Sequence, residues 1–129
     1  MSERLLEGGR ARVRSARDDH DALAALVAFH VEFALDKPDV ITVQARDLAN
    51  LSANVRRTVR ALQHDYVSVW ADVVERLAGC TRPHAVAASH AAFGLMNSTP
   101  HSARLPRSEM AELLGQMEDV ALRSAHNAA

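Results

Sequence analysis

Apolar residues recur along this chain at the spacing of one helix face, in stretches set apart by turn-forming residues. Leu23, Leu26, Val27, Phe33 and Ala34 fall at i, i+3, i+4, i+10 and i+11, one side of a spiral with 3.6 residues per turn. Asp18 and Asp19 stand ahead of them as capping residues, which predicts a helix to about residue 36. The longest stripe is Val55, Val59, Leu62, Tyr66, Val69, Val73 and Leu77, opened by Ser52 as N-cap and closed by Gly79. At a rise of 1.5 Å per residue such a helix is about 40 Å long, the spine of the fold. Pro83 opens a further helix that stops at Thr99-Pro100, and beyond Pro106 a last one places Met110, Leu113, Leu114, Met117 and Ala121 on one face. Two segments are weaker. Residues 2–17 hold Gly8-Gly9 and are crowded by Arg4, Arg10, Arg12, Arg14 and Arg17. Pro38 suits the first turn of a short helix to about Leu48; its Val40–Val43 run has strand propensity, but no partner strand stands elsewhere in the sequence. The pattern predicts an all-α bundle of five to six helices, forming a single domain over residues 1–129.

Composition agrees with helix. Hydrophobic residues make up 48% but aromatics only 4%, so Ala and Leu, which lose little on entering a helix, carry the apolar content. A formal net charge of −1 argues against binding a polyanion by bulk electrostatics. Cys80 is the single cysteine; an intrachain disulfide framework is excluded, and its place at a helix end suits a structural thiol. No apolar run approaches the roughly 20 residues of a membrane span, and the N-terminus lacks the apolar core of a signal peptide. A cytoplasmic protein without membrane contact is expected.

The residue types of catalysis do not assemble. Seven histidines are present, yet H-x-x-x-H, H-E-x-x-H, E-x-x-H and C-x-x-C spacings are absent, and His84 and His90 sit on different helix faces. There is no G-x-S-x-G, Cys80 has no base nearby in sequence, and Gly8-Gly9 sits in no phosphate-loop pattern. Neither an enzyme, a metal site nor a cofactor is expected. Residues 42–62 mimic a helix-turn-helix, with Ala45, Leu48, Leu51 and Val55 near its spacings and Arg56, Arg57 and Arg60 on the second helix. A groove reader needs a short projecting recognition helix. Here the turn is Ala49-Asn50 without glycine, the second helix runs on through Tyr66 and Trp70, and Asp47 and Asp65 balance the charge. A helix–helix corner with a solvated arginine face is preferred; a small stand-alone DNA-binding protein is the alternative.

Two features remain. Phe29 and Phe33, Tyr66 and Trp70, and Phe93 lie at helix-compatible positions on three segments. With His30, His90 and Asn97 as a few polar groups among them, they can form the mostly apolar wall of a small-molecule pocket; an ordinary filled core is the plainer reading. The segment from Pro83 is also poor in bulk: Ala85, Ala88, Ser89, Ala92 and Met96 share one side, where another helix can approach closely. Together with Met110, Leu113, Leu114 and Met117 they can build a two-fold, four-helix interface. A purely structural dimer module is the second alternative.

Four pieces taken in order resemble the C-terminal, ligand-binding half of TetR-family transcriptional regulators: residues 25–39 (ALVAFHVEFALDKPD), 46–51 (RDLANL), 62–70 (LQHDYVSVW) and 90–103 (HAAFGLMNSTPHSA). The resemblance implies an effector-binding and homodimerisation domain of a repressor, its last two long helices pairing with a second copy. The effector it implies is an apolar or amphipathic small molecule, such as an acyl or steroid-like lipid or a thioester. Regulators of this family carry an N-terminal DNA-binding domain that is not among these residues, and residues 2–17 read as the remnant of the helix connecting the two halves. Contact with DNA is then expected only through that absent domain.

Overall fold

The computed structural model describes residues 2–36, 52–98 and 104–127. Five α-helices make up the described chain: α1 (Ser2–Ser15), α2 (Asp19–Asp36), α3 (Ala53–Ala78), α4 (Arg82–Ser98) and α5 (Arg107–Arg123). With no strand among the described residues, the all-α expectation holds. The short helix expected after Pro38, and the first half of the helix-turn-helix mimic, fall in 37–51, outside the described residues.

Local chemistry sets the helix ends. Asp18 caps α2, its Oδ1 accepting the Asp21 N–H at 2.8 Å. Ser52 caps α3, its Oγ accepting the Val55 N–H at 3.3 Å. Gly79 closes α3 in the left-handed conformation, φ 66°, and its N–H reaches the Glu75 carbonyl at 3.0 Å; a side chain there would strain the backbone. These are the stops read from the sequence.

The weak first segment is helical because of what covers it. A Cβ on Gly8 would stand 2.2 Å from Phe29 Cζ, and one on Gly9 would stand 3.1 Å from Tyr66 Cε1. The glycine pair therefore lets α1 lie directly on the aromatic rings of α2 and α3. Glycine inside a helix costs about 1 kcal/mol relative to alanine, and burial of Leu6 and Gly9 in this seam offsets it. The Arg12 guanidinium stacks 5.0 Å above the Phe29 ring centre, so part of the arginine crowding is a lid on that ring.

α2 and α3 form the centre of the bundle, each touching all four other helices. The buried residues of α2, Ala22, Leu23, Leu26, Val27, His30, Val31 and Ala34, face the core. α3 contributes Tyr66, Val67, Trp70, Ala71, Val73 and Val74, all from its second half. Its first turns bury no side chain, and Val55 is 49% exposed. Ion pairs tie the outside: Arg76 to Asp19 at 2.8 Å, Arg107 to Asp36 at 2.6 Å, and Arg82 to both Asp72 and Glu75. These pairs are exposed and contribute little each; Arg107 at Asp36 and Arg123 at His20 show that α5 runs antiparallel to α2.

Candidate functional site

The helices bring four rings and one amide together at the centre of the bundle. α2 supplies His30, α3 supplies Tyr66 and Trp70 one turn apart, and α4 supplies Phe93 and Asn97 one turn apart. His30 stacks on Phe93 at 5.1 Å and on Tyr66 at 5.8 Å, while Trp70 meets Phe93 edge-on at 5.1 Å. Such offset and edge-to-face pairs are favourable beyond their buried area.

A directed hydrogen-bond chain crosses this cluster. The Asn97 carboxamide oxygen lies 2.8 Å from His30 Nε2, and the Tyr66 hydroxyl lies 2.8 Å from His30 Nδ1. Burial holds the His30 pKa below its ordinary 6.5, the bond to Asn97 opposing this only in part. His30 is therefore neutral near pH 7. Asn97 Oδ1 can only accept, so the ring proton sits on Nε2, and the bare Nδ1 accepts from the Tyr66 O–H. Burial pushes the Tyr66 pKa well above its ordinary value, which keeps the phenol a donor. The Trp70 indole N–H lies toward the same phenol oxygen and tempers that rise, but it makes no hydrogen bond of proper geometry.

Five of the eight residues expected to line a pocket, His30, Tyr66, Trp70, Phe93 and Asn97, thus share this cluster. The other three lie apart from its centre. Phe29 is half-buried in the α1 seam, Phe33 is half-buried one turn further along α2, and His90 is exposed, its ring edge-on to Phe93 at 6.3 Å. The cluster is closed: Trp70 is 0% exposed, and His30 and Tyr66 are nearly covered. Its only half-open members are Phe93 and Asn97. A groove of about 580 Å³ lies elsewhere, between α2 and α5, over Ala24, Ala28, Ala111 and Gly115.

The residues expected at a two-fold interface divide by face. Ala85, Ser89, Ala92 and Met96 on α4, and Met110 and Leu114 on α5, are buried within their own chain. Side chains already covered there have no surface for a second copy. Ala88 is half-buried. Leu113 and Met117 point outward with Val120, at 39%, 45% and 68% exposed, and on α4 Leu95 and Ala91 are exposed. The single apolar stripe read on α5 therefore splits into an inward line and an outward line. The inward line is Met110, Leu114, Glu118 and Leu122, and a charged residue within it disguised the true face. Glu118 went unread as a site residue; its place four residues from both Leu114 and Leu122 was the available signal.

Among the described residues no cluster of His, Cys, Asp and Glu is arranged to hold a metal ion, and no helix is long and apolar enough to cross a membrane. Cys80 is a buried free thiol. A family model described as "Tetracyclin repressor-like, C-terminal domain" matches residues 4–101, which takes in most of α1, all of α2 to α4 and all five members of the ring cluster. No curated protein matches the chain.

Proposed function

The chain belongs to the tetracycline repressor-like C-terminal domain family, and from that premise we propose that it receives an apolar or amphipathic small molecule at the His30 cluster and pairs with a second copy through the outward faces of α4 and α5. The observation that carries the first part is the buried hydrogen-bond chain Tyr66–His30–Asn97 inside stacked rings. Apolar walls with a few placed polar groups are what small-molecule sites are made of. Phe93 and Asn97 form the half-open edge, so a guest enters there. Displacing the Asn97 carboxamide leaves His30 Nε2–H to donate to a carbonyl or hydroxyl of the guest, while Tyr66 holds the imidazole in the donating tautomer. The apolar body of the guest replaces Phe93 against Trp70. Acyl or steroid-like lipids and their thioesters suit that combination.

Mechanism then follows from linkage. The guest shifts the bundle only by its differential affinity for the opened and closed clusters. α4 carries Phe93 and Asn97 on one side and Ala91 and Leu95 on another, so opening the cluster moves the helix proposed to meet the second copy. In a regulator, that displacement is what reaches the DNA-binding part.

Thermal denaturation against a panel of fatty acids, acyl thioesters and sterols tests the binding reading. A ligand at about 100 times its Kd adds about 2.7 kcal/mol, a clear rise in Tm; a flat response across the panel contradicts it. Sedimentation equilibrium tests pairing: a mass near twice 14.0 kDa is expected, and a lone chain at high micromolar concentration contradicts it.

A further inference from the structure

Glu118 is the anomaly of the core. Its side chain is 0% exposed, and neither carboxylate oxygen has a hydrogen-bond partner among the described residues. It occupies the inward line of α5 between Leu114 and Leu122, both covered. An ionised carboxylate in such a place is costly unless it is paired, and the usual escape is to keep its proton.

Among the described residues no cation answers it. The helices packed on α5 are α2, α3 and α4. Their inward faces present His30, Tyr66 and no titratable group, respectively, with the Cys80 thiol buried in the turn between α3 and α4. None of these carries a positive charge in the fold. Four arginines of these elements are engaged outside, Arg123 with Asp119 and His20, Arg76 with Asp19, Arg82 with Asp72 and Glu75, and Arg107 with Asp36, while Arg56, Arg57 and Arg60 lie on the first turns of α3, which bury no side chain. At the level of Glu118, where α5 runs antiparallel to α2, the inward residues of α2 are Ala22, Leu23 and Leu26.

We propose that Glu118 is a proton-operated latch on α5: as the neutral acid it seats the helix in the core, and on losing its proton the carboxylate draws the helix toward water. The direction of the pH dependence follows from burial, which lifts the folded-state pKa from 4.5 to about 7. Between those values the folded chain keeps a proton that the unfolded chain has released. Stability therefore falls as pH rises through that window and is level above it. The same helix bears Leu113, Met117 and Val120 outward, so the latch also reaches the surface proposed for a second copy; that consequence rests on the pairing reading, whereas the latch does not.

The test is equilibrium urea unfolding of the whole chain and of Glu118→Gln from about pH 5 to about pH 8. Glutamine keeps the shape and stays neutral, and its own buried amide adds an offset that does not vary with pH. The folding equilibrium of the wild type is expected to fall relative to the variant by on the order of a hundredfold across the window. Parallel pH profiles overturn the latch. If the variant does not fold, infrared titration of the wild type decides. The carbonyl stretch of a protonated acid persisting at about pH 6 and vanishing by about pH 8 supports the latch, and its loss at the pH of ordinary carboxylates overturns it.

Discussion

Removing one oxygen from the core tests the hydrogen-bond chain at its most informative link. Tyr66→Phe keeps the ring, its stacking on His30 and Phe93 and the buried apolar area, while deleting the hydroxyl 2.8 Å from His30 Nδ1. A typical intramolecular hydrogen bond is worth about 1 kcal/mol net, but a buried acceptor left without a partner costs about 1–3 kcal/mol. Both groups are nearly covered, His30 at 3% and Tyr66 at 5% exposed, so water does not substitute for the lost donor. A loss of about 2 kcal/mol is expected. In a chain of this size that is a fall in Tm of about 8 °C, at about 4 °C per kcal/mol.

The assay is urea unfolding followed by Trp70 emission, for Tyr66→Phe, His30→Phe and the double variant. If the pair interacts as described, the double variant is more stable than the sum of the single losses implies, with a coupling of about 1 kcal/mol or more. A Tyr66→Phe loss under about 0.5 kcal/mol, or additive losses, would refute the reasoning, because either result means the hydroxyl is not what satisfies His30.

Gly8→Ala gains about 1 kcal/mol of helix propensity but drives a methyl to 2.2 Å from Phe29. The variant is expected to be less stable by about 1–2 kcal/mol, and Phe29→Leu in the same chain should restore part of the loss; a more stable Gly8→Ala chain contradicts the seam. The depressed pKa of His30 makes the folded state resist a proton that the unfolded state accepts below its ordinary 6.5, so this residue causes stability to fall as pH drops below that value. Because Glu118 acts in the opposite direction, the acid loss should be steeper in Glu118→Gln than in the wild type; urea midpoints against pH measure it, and an equal slope speaks against the assignment. Met117→Glu puts a charge on the outward line of α5 and should give the mass of one chain by sedimentation with its Tm at low concentration unchanged, while a persistent dimer removes that face from the interface.

The helices were legible because their signals are local. Ser52, Gly79 and the spacing of Leu23, Leu26 and Val27 act within a turn or two, and the structure uses each as read. The glycine pair makes α1 a weak helix by sequence because its reason is tertiary: only the rings of Phe29, 21 positions from Gly8, and Tyr66, 57 positions from Gly9, explain it. The ring cluster was partly readable, since aromatic residues are scarce and three helices each offer them to one core. Its edges were not, and His90 and Phe33 show that sharing a helix with the cluster does not bring a side chain to its centre. On α4 and α5 small and apolar residues populate more than one face, and periodicity alone cannot choose between two such faces. Burial chooses, and it gives Ala85, Ser89, Ala92 and Met96 to the inside.

Trp70 is the only tryptophan and stands edge-on to Phe93 in the closed cluster, so its emission is the most direct report on whether a guest enters there. Titration with a long-chain acyl thioester or a sterol is expected to give a saturable change that Asn97→Ala alters and Met117→Glu leaves in place. An emission that stays constant across the panel, while the same compounds raise Tm, would put the binding site away from His30 and contradict the account.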